Sequence, residues 1–426
     1  MTAREKLHWA QAAFALLYLF AGIYKGVVPS PVDWTIVTGL LLCVALIPDW
    51  RIIASLAVQP AIWIFLILLA YLVISGWPLT GFGRWKVIES GLLGLPALAA
   101  AYIFITTGAD KHFRIICVAV GVVSAAAIVI MSMRNDTLAY SIQFLSGGYQ
   151  LPAALLGFGF MTVALTPVVP SPWSYAAGGL LSFGMFSTGS TIGTFAALFV
   201  AAAVALWTFG FRPKPALIWA AVVILPVVAT SMVKPPPSIT RILLKYHFLE
   251  AQLDQPIDIE GLEGGSGNHP IKGVYVDIAG SRTDVTDRAF LFRVAWRLWE
   301  NAPLFGSGFG SIEYAAGYRT PHNIPLELLA EGGLIAFILG AAFAGLAGMP
   351  CLTARSPTSA YPLAIFLLTM ATAMVGGYFI GRVQMFAIGA VLAAAQHRET
   401  ALSGFFGAFV GRNLMDNSVA YRSRKS

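Results

Sequence analysis

Residues 286–300 form the stretch in which charged side chains are most regularly spaced, and they are predicted to form an amphipathic helix. At about 100° per residue, Arg293 and Arg297 share one polar face with Glu300, which can pair with Arg297. Arg288 falls on the apolar face, together with Leu291, Phe292, Ala295 and Trp299. An arginine on that side is costly unless it meets an anion, so Arg288 is a candidate anion ligand. The alternative is an arginine that bends back to solvent from the end of the helix.

A second candidate lies about twenty residues further on, where the chain enters an apolar run. Residues 303–310 read PLFGSGFG, and such alternating glycines allow tight turns but are not a nucleotide-binding fingerprint. Asn323 is then predicted to cap a helix, with Pro325 in its first turn. His322 therefore lies at a helix N-terminus, where the dipole disfavours imidazolium and leaves a neutral ring able to accept a proton. The alternative is a capping or interfacial histidine.

No metal-binding or nucleotide-binding motif occurs in the sequence, and we expect no metal ion and no cofactor. Asp258 and Glu260 are spaced as paired carboxylates, but in an acidic loop such a pair is typical of solvated charge. Cys43, Cys117 and Cys351 lie in or beside apolar runs without CxxC spacing, which indicates packing residues.

The elements that must position these residues are predicted to be membrane-spanning helices. Of the 426 residues, 58% are hydrophobic and 11% are charged, whereas soluble domains carry about 25% charged residues. A chain this apolar has more surface than one water-soluble core can cover. Segments of about 20 apolar residues give about twelve candidate spans, centred on 8–25, 32–48, 53–75, 86–107, 113–133, 149–168, 172–189, 192–210, 215–232, 323–347, 361–379 and 382–396. These spans are expected to hold few charges, chiefly Glu89.

The distribution of lysine and arginine predicts that both termini are cytoplasmic. With that orientation the basic residues of the inner segments outnumber those of the short outer turns, which are Lys25, Arg84, Lys86, Arg134 and Arg382. Each of these outer side chains can extend to lipid headgroups, or together they can surround an anionic ligand. Because the net charge of +7 is spread along the loops, it does not indicate a nucleic-acid partner.

The sequence therefore predicts an all-α polytopic membrane protein with one large outer loop. Spans 1–9 occupy residues 1–232, and spans 10–12 occupy residues 323–397. The loop, residues 233–322, carries the glycine-rich run EGLEGGSGNHP and short amphipathic helices, and residues 398–426 form a cytoplasmic tail. A polar loop of this length is usually functional or disordered, and its own helix signals favour a function.

Two runs within residues 288–334 resemble the O-antigen ligase and O-antigen polymerase family. They are RAFLFRVAWRLWENAPLFGSGFG and PHNIPLELLAEGGL, which match an arginine, then P-L-x-G-x-G, then H-N-x-x-L with a nearby E-x-G. The many-span layout with a late outer loop agrees with this resemblance, which implies a GT-C-like fold in the bacterial inner membrane. The outer loop is then periplasmic.

The resemblance also implies a reaction. Family members transfer a glycan from undecaprenyl pyrophosphate to a hydroxyl of the lipid A-core (ligases) or of another lipid-linked repeat (polymerases). By the resemblance, His322 is the general base and Arg288 contacts the pyrophosphate, without a metal ion and with inversion at the anomeric carbon. Size and loop placement favour the ligase, and the polymerase is the alternative.

One position departs from the family pattern. An arginine usually follows T-G-S at a turn between two spans, but here Thr191 follows Ser187–Ser190. Arg84, Lys86 and Arg382 are candidates to replace it in binding the pyrophosphate, with Asn323 beside His322. A transporter or lipid flippase is the alternative from another functional class, since such proteins place ionisable residues in mid-membrane.

Overall fold

A computed structural model of the chain describes residues 1–24, 33–76, 82–134, 150–166, 171–232, 236, 239, 275–278, 281–284, 286–315, 323–354, 356–376 and 381–396. Within the helices, residues 82–92 and 286–290 are described by their backbone. The 3-10 turn Ile47–Asp49 apart, the helices are α1 (Ala3–Leu19), α2 (Ala21–Tyr24), α3 (Trp34–Leu46), α4 (Trp50–Leu56), α5 (Pro60–Gly76), α6 (Phe82–Thr107), α7 (Asp110–Arg134), α8 (Gln150–Leu165), α9 (Ser171–Ser187), α10 (Thr191–Phe209), α11 (Pro213–Ser231), α12 (Thr286–Asn301), α13 (Ser311–Ala315), α14 (Ile324–Ala354), α15 (Pro357–Gly376) and α16 (Arg382–Gln396).

Each predicted span overlaps a described helix, and the first, 8–25, covers parts of two helices, α1 and α2. Six helical segments among the described residues are long and apolar enough to cross a membrane, and shorter apolar helices include Leu93–Thr107 and Arg382–Gln396. The chain is therefore a polytopic helical membrane protein, while the count of twelve spans stays a prediction. The third predicted span, 53–75, began too early, because residues 50–56 form the separate helix α4 and α5 begins at Pro60.

Aromatic side chains form the centre of the helical bundle. Phe386 of α16 packs against Phe104, Phe113 and Phe158, with ring centroids 4.6–6.3 Å apart. On another side of the bundle, Phe65 of α5 stacks on Phe343 of α14 at 4.9 Å. These contacts join α5, α6, α7, α8, α14 and α16 into one apolar core.

The described part of the predicted outer loop contains both strands and helices. Strands β1 (Tyr275–Ile278) and β2 (Ser281–Asp284) form an antiparallel hairpin, with Tyr275 opposite Asp284. The sequence analysis predicted no strands here. The helix expected over 286–300 is present as α12, and it packs on α13 and on the first turns of α14. The domain boundary at residues 233 and 322 stays a prediction.

Candidate active site at the start of helix α14

Asn323 caps α14, as the sequence predicts. Its side-chain Oδ1 accepts the N–H of Leu326 at 3.0 Å, and its carbonyl accepts the N–H of Glu327 at 2.9 Å. Pro325 lies in the first turn, where its missing N–H removes no helical hydrogen bond. His322 lies outside the described residues, so its role as a base stays a prediction. In the sequence it is the residue directly before the cap.

A kink at Gly333 interrupts α14, and the glycine-rich loop forms hydrogen bonds with the helix backbone on both sides of it. Gly333 has φ 65° and ψ −165°, which no regular helix contains. The carbonyls of Ala330 and Glu331 accept the N–H groups of Ser307 and Gly308 at 2.8 and 2.9 Å. In return, two N–H groups beyond the kink donate to loop carbonyls: Leu334 to Pro303 at 2.9 Å and Ile335 to Leu304 at 3.3 Å. The loop thus satisfies the backbone groups that the kink releases, as a membrane environment requires.

We call this pairing of the glycine-rich loop with the α14 kink the interlock, and it requires a glycine in the loop and another in the helix. A Cβ on Gly306, whose φ is 74°, would lie 2.4 Å from the Glu331 carbonyl carbon. A Cβ on Gly333 would lie 2.3 Å from the Leu304 carbonyl oxygen. Both obstacles are backbone atoms, which cannot move aside as a side chain can. The PLFGSGFG run is therefore a backbone-packing motif.

Tyr71 joins α5 to the same interlock. Its hydroxyl lies 2.8 Å from the carbonyl oxygen of Phe305 and 3.0 Å from that of Gly332. The sequence analysis did not identify Tyr71, because its partners are more than two hundred residues away in the chain.

One face of α12 covers the beginning of α14. Leu291 and Ala295 are buried, and Ala295 packs with Leu298, Ile312 and Ala330. Arg293 and Arg297 are exposed, as predicted. Phe292, which the sequence analysis placed on the same apolar face, is 41% exposed. The covered face of α12 is rotated toward Leu298, because α14 contacts that side.

Arg288 lies in the first turn of α12, and its backbone is described while its side chain is not. It precedes the buried Ala295 by seven residues, or about two helical turns. The helical period therefore places its Cα on the side of α12 that turns toward α14. Contact of Arg288 with an anion stays a prediction.

Two buried carboxylates in α14 were missed by the sequence analysis, which expected chiefly Glu89 within the spans. Glu327 is 3% exposed and Glu331 is 1% exposed. They lie four residues apart, between the Asn323 cap and the kink, and so share one helix face. Two acidic residues at helical spacing in an apolar run could have predicted a polar site from the sequence.

The candidate pyrophosphate residues outside this region lie at helix ends. Arg382 begins α16, and its Nη1 donates to the Tyr18 carbonyl near the end of α1 at 2.7 Å, with the guanidinium 5.3 Å from the Tyr18 ring centre. Arg382 therefore stabilises the C-terminus of α1. Arg84 and Lys86 lie in the first two turns of α6, close in sequence to the end of α5 that carries Tyr71. Binding of the donor by these three residues stays a prediction.

The turn that departs from the family pattern is closed by its own hydroxyl groups. Thr188 Oγ1 donates to the Met185 carbonyl at 2.7 Å, and Ser190 Oγ accepts the Gly193 N–H at 3.2 Å. Thr191 is the first residue of α10. The turn is therefore stable without an arginine. Elsewhere, no three His, Cys, Asp or Glu side chains among the described residues come together as a metal-ligand set.

Comparison with known proteins identifies the region that contains this site. Residues 176–341 match the family described as O-antigen ligase. The match includes the Ser187–Ser190 turn, α12, the glycine-rich loop and the α14 kink, together with Arg288, His322 and Asn323. The comparison with curated proteins gave no match. Residues 176–341 are therefore similar to the O-antigen ligase family.

Proposed function

We propose that this protein is a ligase-type membrane glycosyltransferase. It transfers a glycan from undecaprenyl pyrophosphate to a hydroxyl of the lipid A-core on the periplasmic face of the inner membrane. One observation carries the proposal: within the family match, the Arg288 helix packs on α14 before its kink, and the glycine-rich loop bonds to both sides of that kink. The cap of the same helix directly follows His322 in the sequence. This supports a site to which Arg288 contributes from α12 and His322 from the segment that leads into α14.

The proposed reaction needs one base and one cationic anchor. His322 takes the proton of the acceptor hydroxyl, whose oxygen forms a bond to the anomeric carbon. The bond from that carbon to the phosphate oxygen breaks on the opposite face, so the configuration inverts. Undecaprenyl pyrophosphate leaves with the bonding electron pair. Arg288 neutralises its charge through paired N–H donors, which can replace a metal ion.

Two buried donors beside the glycine-rich loop support a polar ligand at this place. The Trp299 Nε1 and the Ser311 Oγ are buried and have no hydrogen-bond partner among the described residues. Each such group costs about 1–3 kcal/mol when it stays unpaired, so an acceptor supplied by a ligand would be stabilising here. Trp299 lies eleven residues after Arg288, about three turns along the same helix side. A phosphate or sugar oxygen is a suitable acceptor for either donor.

Glycan analysis of a deletion strain separates the candidate activities. A ligase predicts that O-antigen disappears from the lipid A-core while lipid-linked polymer accumulates. A single repeat on the core would instead identify the polymerase, which has the same donor chemistry. A flippase predicts that purified protein, donor and acceptor together give no product; product formation under those conditions excludes transport as the function.

Two further measurements test the setting of the reaction. A reporter that is active only outside the cytoplasm should give a signal when it is fused after Gly265. A signal there from a reporter that is active only in the cytoplasm would overturn the proposed orientation. Transfer by the purified protein should survive EDTA. Loss of transfer with recovery on adding Mg²⁺ or Mn²⁺ would point to a metal site that includes residues such as Asp258 and Glu260.

A further inference from the structure

Several large apolar side chains around α12 remain exposed although they lie outside the bundle core. Phe292 and Trp296 on α12 are 41% and 49% exposed, and Leu304 and Phe305 in the loop are 49% and 62% exposed. We call these four exposed side chains, from α12 and the loop that follows it, the apolar patch; water does not favour such exposure. The patch therefore indicates an apolar partner.

The surface of α12 is divided into three stripes. Leu291, Ala295 and Leu298 form the stripe that the protein covers. Phe292 and Trp296 form the second stripe, about 110° further around the helix, and Arg293 with Arg297 form the third, about another 100° on. The apolar sector is thus wider than the protein contact. A helix with this pattern is typical of segments that lie in a membrane interface.

The kink of α14 fixes the depth of this patch along the membrane normal. Residues 334–354, at about 1.5 Å per residue, extend about 30 Å, which is enough to cross the hydrocarbon core without the segment before the kink. The loop is bonded to both sides of the kink, through Ser307 to Ala330 and through Leu304 to Ile335. The loop therefore lies at the level where the span enters the bilayer.

The loop residues of the patch are bonded to two helices that carry other exposed apolar side chains. Leu334 and Ile338 on α14 are 43% and 56% exposed, and Ile74 on α5 is 72% exposed. The carbonyls of Leu304 and Phe305 bond directly to these two helices, through Ile335 and Tyr71. The loop side of the patch therefore lies beside the exposed apolar surface of α5 and α14.

We propose that α12 lies in the interfacial layer of the phospholipid bilayer, at the end of the bundle where α14 begins. The Phe292–Trp296 stripe and residues Leu304 and Phe305 enter the boundary between headgroups and acyl chains, and the Arg293–Arg297 stripe faces water. The Trp296 Nε1 donates to Glu300 Oε1 at 2.6 Å, which turns the polar edge of the indole toward the charged side of the helix. This is the arrangement that makes tryptophan common at membrane interfaces.

Spin labels on two stripes of α12 test the proposal. Trp296→Cys and Phe292→Cys report the aromatic stripe, and Arg293→Cys is the matched control on the exposed charged stripe. A Cys43→Ser background removes the exposed native thiol, while Cys117 and Cys351 are buried. The labelled full-length protein is placed in phospholipid nanodiscs without any polyprenyl donor. Accessibility of each label to oxygen and to a water-soluble nickel chelate is measured.

The bilayer assignment predicts that the oxygen-to-nickel accessibility ratio at 296 and 292 exceeds that at 293 several-fold. Equal ratios at the three positions would overturn it. A ratio that rises at 296 and 292 only after undecaprenyl pyrophosphate is added would assign the stripe to the donor chain and also overturn it. Because this measurement requires no glycan transfer, its outcome is separate from that of the proposed function.

Discussion

The two halves of α14 are built by different means, although they form one helix. The half before Gly333 begins with the Asn323 cap and contains the buried Glu327 and Glu331. The half after Gly333 is apolar and regular, with Phe343 stacked on Phe65. Side-chain packing therefore holds the second half, whereas polar groups and a backbone interlock hold the first.

The difference shows where a membrane helix can depart from regular geometry. A kink leaves backbone N–H and C=O groups without helical partners, and lipid offers none. Here the loop supplies Ser307 and Gly308 as donors and the carbonyls of Pro303 and Leu304 as acceptors. The departure is therefore stable only where the loop binds.

The largest expected effect belongs to the residue before the first half. If His322 is the base, His322→Ala should lower transfer about 10²–10⁴-fold. Because Asn323 retains the cap, the protein should reach the membrane in normal amount. Transfer is measured from the glycan on the lipid A-core, with membrane content measured by immunoblot.

His269→Ala is the control for that substitution, since it removes a histidine elsewhere in the outer loop. It should transfer normally. If His322→Ala matched it at equal membrane content, His322 would be a capping or interfacial residue.

The next largest effects are expected at the arginines of α12. Substitutions there compare Arg288, on the side of the helix that turns toward α14, with the exposed Arg293 and Arg297. Arg288→Ala should abolish most transfer, and Arg288→Lys should also be severely impaired because lysine keeps the charge but loses the planar fork. Arg293→Ala and Arg297→Ala should cost little, since exposed ion pairs contribute about 0–1 kcal/mol. Initial transfer rates of the purified variants provide the comparison. Equal losses at all three positions would contradict the assignment of faces on α12.

Glycines in the two halves of α14 should respond oppositely to substitution. Gly333→Ala places a Cβ 2.3 Å from a backbone oxygen at φ 65°, so it should lower the melting temperature strongly. A Cβ on Gly345, in the second half, would have no neighbouring atom within 4 Å. Gly345→Ala should therefore be neutral or stabilise the helix by up to about 1 kcal/mol. Thermal unfolding in detergent measures both, and a similar loss at both positions would mean that the interlock contributes little.

Local features of this site could be predicted from the sequence, and long-range ones could not. The cap at Asn323 and the exposure of Arg293 depend on residue type and helical period, so the sequence was sufficient. The exposure of Phe292 depends on which side of α12 meets α14, and the period alone does not contain that information. The pairing of the glycine-rich loop with the kink joins two segments that have no common pattern in the sequence.

The smallest expected effect tests whether Tyr71 acts through that pairing. Tyr71→Phe removes the hydroxyl that bonds Phe305 and Gly332, and it should cost about 0.5–1.5 kcal/mol in the free energy of unfolding. The same substitution in a Gly333→Ala background should cost less, because the carbonyls that the hydroxyl bonds are then displaced. A double-mutant cycle from unfolding in detergent measures this coupling. If Tyr71→Phe costs the same in both backgrounds, then Tyr71 stabilises α5 independently of the kink, and the interlock consists of α14 and the loop alone.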